Sequence, residues 1–181
     1  MTINVALAGA GAFGIKHLDA MKQIDDVRVI SVVGRQLDPT REVAEKYGID
    51  HVTTDLAESL ALDEVDAVVL ATPTQMHAEQ SIACLEAGKH VEVEIPLCDN
   101  LADGVRVVEA QRRTGLVAMC GHTRRFNPSH QWVHRRVQSG ELDIQQMDVQ
   151  TYFFRRTNTN ALGQPRSWTD HLLWHHAAHT V

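Results

Sequence analysis

An apolar hexapeptide, Ile3-Asn4-Val5-Ala6-Leu7-Ala8, runs without a break into Gly9-Ala10-Gly11-Ala12-Phe13-Gly14, and a helical pattern follows at once. Strand, glycine turn and helix in immediate succession suit the opening of a parallel α/β domain, where each glycine has a separate task. Gly9 makes the tight turn, Gly11 lets backbone approach a pyrophosphate, and Gly14 lets helix pack on strand. The helix start then offers unpaired N–H groups to phosphate. A glycine turn in some other α/β domain is the plainer alternative, and the remainder of the chain weighs against it.

The alternation continues. Strands are expected at residues 27–33, weakly near His51, and at 65–71, 90–94 and 116–120. Helices are expected at 38–46, capped by Asp38-Pro39, at a short segment opened by Asp55 with Glu58 in capping-box position, and at 74–87 and 100–113. Continuous apolar strands alternating with amphipathic helices imply a parallel sheet covered on both faces. The expected fold is therefore α/β, with a Rossmann-type doubly wound sheet.

Composition narrows the function. With 44% hydrophobic and 22% charged residues in 181, the chain is neither disordered nor fibrous. No apolar run approaches the roughly 20 residues that cross a bilayer, and residues 1–14 lack a basic region and a cleavage site, so a cytoplasmic protein is expected, with no membrane partner. Cys84, Cys98 and Cys120 show no C-x-x-C spacing and read as reduced, buried thiols.

The net charge of -6 hides an asymmetry. Residues 1–121 carry 10 basic and 19 acidic side chains, whereas residues 122–181 carry 7 basic and 4 acidic. All seven basic groups of the second part are arginines, and seven of the eleven histidines lie there. This shift suggests two functional units, 1–121 and 122–181, and planar arginines suit carboxylate or phosphate ligands. A solvated basic face is the bland alternative. Nucleic acid is not expected, since lysine is absent after Lys89 and no basic run with interleaved aromatics occurs.

Cofactor choice is written where the second strand ends. An acid about 20 residues past the last glycine would take the ribose 2′-OH of NAD, and an arginine would suit a 2′-phosphate. The residues there are Val33-Gly34-Arg35, which favours NADP over NAD. If Arg35 is only a surface arginine, Asp38 could still serve the ribose.

Three further segments narrow the reading: Ala71-Thr72-Pro73-Thr74-Gln75-Met76-His77, Glu94-Ile95-Pro96-Leu97, and Gly121-His122-Thr123-Arg124-Arg125-Phe126-Asn127-Pro128. With the glycine fingerprint they resemble the Gfo/Idh/MocA family of NAD(P)-dependent oxidoreductases, in order and spacing through essentially the whole chain. The resemblance implies that Gly9, Gly11, Ala12, Phe13, Gly14 and Arg35 hold the nucleotide. It further implies that Thr72 and Pro73 line the nicotinamide-ribose end with His77 nearby, and that the Glu94 segment lies under the nicotinamide.

Two departures matter. Family members usually carry Glu-Lys-Pro with a catalytic lysine, where this chain has Glu94-Ile95-Pro96, and isoleucine can neither donate nor accept a proton. Near the C-terminus the family places an aspartate four residues before a catalytic histidine. Here His175-His176-Ala177-Ala178-His179 puts His179 at the histidine position and His175 at the aspartate position. A neutral imidazole accepts a proton near pH 7, so His179 is the first-choice base, with His176 or His175 orienting or replacing it. His171, His175 and His179 share a helical face, but no metal site is expected, because the third histidine points a turn further along. A structural histidine face is the other alternative.

Beyond Pro128 an amphipathic helix ending at Gly140 and a long strand over 144–154 are expected. By resemblance this is the start of an α+β substrate and dimerisation domain. One strand and two helices cannot close a sheet, so the chain reads as part of a longer enzyme, expected to be a homo-oligomer when full length. Trp168 and Trp174 read as core packing. Arg124, Arg125 and His122 are the candidate substrate contacts, the arginines as carboxylate clamps, with an interdomain salt bridge as the alternative. The sum is an NADP-dependent dehydrogenase acting on a small, anionic, ring-derived hydroxy compound. Its rivals are a family member oxidising a sugar, inositol or dihydrodiol, and a non-catalytic nucleotide-binding regulatory chain.

Overall fold

In a computed structural model, which describes residues 2–150 together with Tyr152, Thr157, Thr159 and Pro165, the chain divides into two compact units, Met1–Gly121 and His122–Val181. The first is a six-stranded, wholly parallel sheet. Its strands are β1 (Ile3–Ala8), β2 (Val27–Val33), β3 (His51–Thr53), β4 (Ala67–Leu70), β5 (His90–Val93) and β6 (Ala118–Cys120). The helices between them are α1 (Ala12–Met21), α2 (Leu37–Tyr47), α3 (Leu56–Leu60), α4 (Thr74–Glu86) and α5 (Leu101–Thr114).

Strand order is β3-β2-β1-β4-β5-β6. The order reverses between β1 and β4, and ligands of such sheets bind in the crevice beyond the strand ends at that point. The expected Rossmann-type doubly wound fold is what the chain adopts.

Alternation along β1 sorts the core. Val5 and Leu7 join Leu18 and Met21 of α1 and Ala44 of α2 on one face, while Ala6 and Ala8 join Leu70, Cys84, Leu85, Val91, Val93 and Ala110 on the other. Both faces are dry, which is why the strands read as continuous apolar runs.

Several local expectations shift. Gln36, not Asp38, precedes the first turn of α2, and its side chain makes no capping bond. Asp55 does cap α3, accepting from Ala57 N at 2.9 Å, but no capping box forms. Thr53 Oγ1 takes the place of Glu58, receiving Asp55 N at 3.0 Å, and itself donates to the Glu58 carboxylate. The strand expected over 65–71 is shorter as β4, although Asp66 N and Ala71 N still donate to Asn4 and Ala8 carbonyls of β1.

In the second unit a 3-10 turn (Thr123–Phe126) leads to α6 (Pro128–Gln138), whose N-cap Asn127 accepts from Ser129 N at 2.9 Å. The Arg136 guanidinium stacks on Trp132 at 3.7 Å from the ring centre. The long strand expected from residue 144 is absent over 144–150, which hold no regular structure. Alternation specifies a face but not a partner, and among the described residues no strand lies beside this segment. The residues from 151 onward in that expectation fall mostly outside the described ones. Among the described residues no helix is long and apolar enough to cross a membrane.

Candidate functional site

The turn after β1 is built as a nucleotide cradle. Gly9 has φ +106°, and a Cβ there would stand 2.3 Å from the Ala71 carbonyl oxygen. Gly14 packs closer still, since its Cβ would stand 1.8 Å from the Gly9 carbonyl oxygen. Gly11 differs from both, with no atom within 4 Å of an added Cβ. That side of the turn is open, above an α1 N-terminus that carries no side-chain cap. Open space, small residues and free first-turn N–H groups fit a dinucleotide pyrophosphate. Ala12 opens α1, and Phe13 is exposed with the Lys16 Nζ 5.1 Å from its ring centre.

At the end of β2, a side chain on Gly34 would meet Thr40 Oγ1 at 1.8 Å, because that hydroxyl is fixed by a 2.6 Å bond to the Gln36 carbonyl. The position that usually holds the ribose acid is thus filled from α2, and the exposed Arg35 is the next side chain available. Asp38 is exposed and lies 3.6 Å from Arg41.

Thr72 and Pro73 follow β4, and Thr72 Oγ1 donates to Gln80 at 2.6 Å. His77, only 1% exposed, reaches two turns at once. Its Nδ1 lies 2.8 Å from the Pro96 carbonyl and its Nε2 2.8 Å from the Thr72 carbonyl. This histidine therefore joins the segment after β4 to the segment after β5, at the carboxyl ends of two adjacent strands. Ile95 is buried, so the residue in the family's lysine position packs into the core.

The sequence reading missed two residues, His17 and Glu92. His17 Nε2 on α1 lies 2.8 Å from Glu94 Oε1 just beyond β5. Glu92 is two residues earlier and so on the same face of the strand. Its Oε2 is buried without a hydrogen-bond partner, and its Oε1 abuts Gly121, where a Cβ would stand 2.7 Å away. Signals for both existed in a histidine three residues after Gly14 and a pair of acids at i, i+2 in an otherwise apolar strand.

Their titration follows from geometry. The bond to Glu94 raises the His17 pKa above its ordinary value, against burial, and the same bond lowers that of Glu94. The ion pair is thus complete only between those two values. It is lost as pH falls through the lowered Glu94 value or rises through the raised His17 value. Burial, with the charge of Glu94 adding to it, pushes Glu92 up to about 7 despite His17 nearby. Burial also holds the thiols of Cys84 and Cys120 protonated, at about 12 and about 11. Cys98 and Cys120 are only partly buried, so the expectation of three buried thiols holds for Cys84 alone.

In the second unit, His122 and Arg124 are half-buried and Arg125 is exposed, while the Arg124 carbonyl accepts from His130 Nδ1 at 3.1 Å. Neither guanidinium is ion-paired among the described residues. His171, His175, His176 and His179, with Trp168 and Trp174, lie outside the described residues.

These features are those of a dinucleotide-binding Rossmann domain, and the comparisons with known proteins agree. The chain belongs to the Gfo/Idh/MocA family: the profile for the oxidoreductase family with NAD-binding Rossmann fold matches residues 3–122, and that for the C-terminal part of bacterial oxidoreductases matches 128–181. It is 66% identical over 179 residues to 4-carboxy-2-hydroxymuconate-6-semialdehyde dehydrogenase of Sphingobium sp., covering 99% of this chain and 57% of that protein. It is 32% identical to myo-inositol 2-dehydrogenase of Thermotoga maritima, covering 77% of this chain and 42% of that one. A crystal structure of a probable dehydrogenase from Thermotoga maritima superposes with a TM-score of 0.73 at 33% identity, over 76% of this chain and 41% of that one. The chain thus spans about half the length of these relatives.

Proposed function

We propose that this chain forms the dinucleotide-binding part of an NADP-dependent dehydrogenase that oxidises the cyclic hemiacetal of 4-carboxy-2-hydroxymuconate-6-semialdehyde to 2-pyrone-4,6-dicarboxylate. That step belongs to bacterial aromatic-acid catabolism through protocatechuate 4,5-cleavage. The observation that carries the reading is the 66% identity, over a match that covers 99% of the chain.

Bound nicotinamide supplies the hydride acceptor for the hemiacetal carbon. The chain's own residues do the rest. Gly9, Gly11 and Gly14 shape the pyrophosphate cradle, Arg35 meets the 2′-phosphate, and Thr72, Pro73 and His77 set the nicotinamide-ribose end. His179 takes the hemiacetal hydroxyl proton as the C=O bond forms, with His175 or His176 orienting it. Arg124 and Arg125, assisted by His122, clamp substrate carboxylates in the manner planar guanidinium groups allow. The buried Ile95 leaves no proton carrier at the lysine position, which supports imidazole chemistry from the C-terminal stretch. The second unit is assigned to substrate binding and to dimerisation of the complete protein.

The similarity to myo-inositol 2-dehydrogenase supports a second reading, a polyol oxidation. It leaves the arginine surplus without a task. The deciding experiment offers the complete protein the hemiacetal or myo-inositol with NADP, NAD or neither, and follows absorbance of the reduced cofactor. Rapid turnover of the hemiacetal with NADP supports the proposal, and turnover of myo-inositol alone overturns it.

Two substitutions probe the assignments. Arg35→Asp is expected to move the NADP-to-NAD ratio of kcat/KM toward NAD by about tenfold or more, the worth of one charge-assisted contact exchanged for repulsion. An unchanged ratio places 2′-phosphate recognition elsewhere. His179→Ala is expected to lower kcat by about a hundredfold or more, the usual contribution of a positioned base, with NADP affinity within a few fold of wild type. Activity surviving within a few fold removes His179 from the base role.

A further inference from the structure

The His17, Glu92 and Glu94 cluster has no task in the chemistry above, yet three elements converge on it. His17 comes from α1, directly after the pyrophosphate cradle. Glu92 and Glu94 come from β5 and the residue following it, at the carboxyl edge of the sheet where the crevice lies. Gly121, after β6, closes the group, with Glu92 Oε1 at 2.7 Å and Glu94 Oε2 at 3.6 Å from where its Cβ would be. The absence of a side chain at Gly121 is what gives the Glu92 carboxyl its place.

Charge counting sets the behaviour of the cluster. His17 and Glu94, 2.8 Å apart, cancel as an ion pair. While His17 keeps its proton, Glu92 decides the total, which is neutral when it holds a proton and -1 when it does not. Its Oε2 is buried with no donor to stabilise the anion, and burial, then the charge of Glu94, pushes its pKa up to about 7. The titratable groups around it are His17 from α1, Glu94 on its own element and Cys120 from β6, while His77 from α4 acts on Glu94. Of these, Cys120 stays a neutral thiol throughout the physiological range.

The two redox forms of a nicotinamide cofactor differ by one positive charge on the ring. We propose that Glu92, gathered with the His17–Glu94 pair around Gly121 at the carboxyl edge of the sheet, places a proton-dependent negative charge beside the cofactor crevice and so tunes the site's preference for the oxidised over the reduced cofactor. The inference rests on the proposed cofactor reading, and it deepens that reading by assigning a residue to redox-state selection. Glu92 acts as a specificity-determining group that works at a distance and with no direct part in the reaction. The sign is fixed: as pH rises through 7, Glu92 ionises and the oxidised form gains affinity relative to the reduced form.

The test is binding. Kd values for NADP+ and NADPH are measured by calorimetry on the complete protein between about pH 6 and pH 8. Taking the ratio of the two cancels titration of the 2′-phosphate and every contact common to both forms. The ratio Kd(NADPH)/Kd(NADP+) is expected to rise by about threefold to tenfold over that range, the size of one charge acting across a partly hydrated interior. Glu92→Gln, which keeps the shape of the protonated acid, is expected to flatten the dependence, and Glu92→Asp to retain part of it. The His17 ring, followed by NMR without cofactor, is expected to titrate at lower pH in Glu92→Gln, since a neighbouring negative charge is gone. A wild-type ratio independent of pH, a slope that persists in Glu92→Gln, or an unmoved His17 titration would overturn the inference while leaving the cofactor reading intact. Failure of both nucleotides to bind would overturn the two together.

Discussion

Gly14→Ala is expected to cost the first unit both stability and cofactor, whereas Gly11→Ala costs cofactor alone. The contrast follows from what each new methyl group meets. At Gly14 the Cβ would lie 1.8 Å from the Gly9 carbonyl oxygen and 3.4 Å from Leu7 Cδ2. A backbone oxygen cannot swing aside as a side chain does, so α1 must lift from β1, carrying Leu18 and Met21 out of their packing with Val5 and Leu7. Overpacking of this kind costs about 3 kcal/mol or more, which for a unit of this size lowers the melting temperature by about 10 °C. The displaced helix also withdraws the N–H groups that face phosphate. At Gly11 the backbone is ordinary extended chain, with φ -82° and ψ -169°, and the methyl enters empty space. Melting should stay within about 1 °C of wild type, as for a surface change, while NADP affinity is expected to fall at least about tenfold, because the Cβ enters the open space assigned above to the pyrophosphate. Thermal unfolding and cofactor titration of both variants check this. A Gly14→Ala protein with wild-type melting would mean that helix and strand do not meet as described.

That contrast also shows why the fold was legible in the sequence. Gly9, with its positive φ, and Gly14, with its close approach to the Gly9 carbonyl, stand where only glycine fits, and apolar runs such as Ile3–Ala8 announce strands buried on both faces. Local capping was less legible. Asp55 and Glu58 stand at capping-box spacing, but Thr53 reaches both, a competition that spacing does not reveal. The alternating residues from 144 onward have the right pattern for a strand and no described neighbour to pair with, because a ladder is a property of two segments.

The site divides along the same line. Positions whose role is to be small, such as Gly34 beneath Thr40, follow from sequence as an absence of the ribose acid. Groups whose role depends on meeting a distant partner do not. His17 and Glu94 are 77 residues apart and become a pair only when α1 lies over the end of β5. Glu92 is an acid in an apolar strand, and its meaning depends on the missing side chain at Gly121. The half-buried Glu92 and the exposed Arg35 would look alike in a list of charged residues.

His77 is the remaining case of distant coupling, and replacing it should loosen the segments after β4 and β5 at once. The ring is almost fully buried and sits 2.8 Å from two carbonyls, Thr72 after β4 and Pro96 after β5. A carbonyl only accepts, so each link exists only where the facing ring nitrogen carries a hydrogen. His77→Leu fills the volume but leaves the carbonyls without a donor, at an expected cost of about 2–3 kcal/mol, with weaker NADP binding because Thr72 and the Glu94 segment lose their common tie. The amide variants separate the two links. Asn can place its NH2 near the Nδ1 position and reach Pro96, whereas Gln extends toward the Nε2 position and reaches Thr72. The variant that recovers more stability identifies the carbonyl that receives the proton in the folded protein. Thermal melts of the Leu, Asn and Gln variants, read beside their NADP affinities, give that assignment directly. Wild-type melting and affinity in His77→Leu would show that neither bond holds the two segments together.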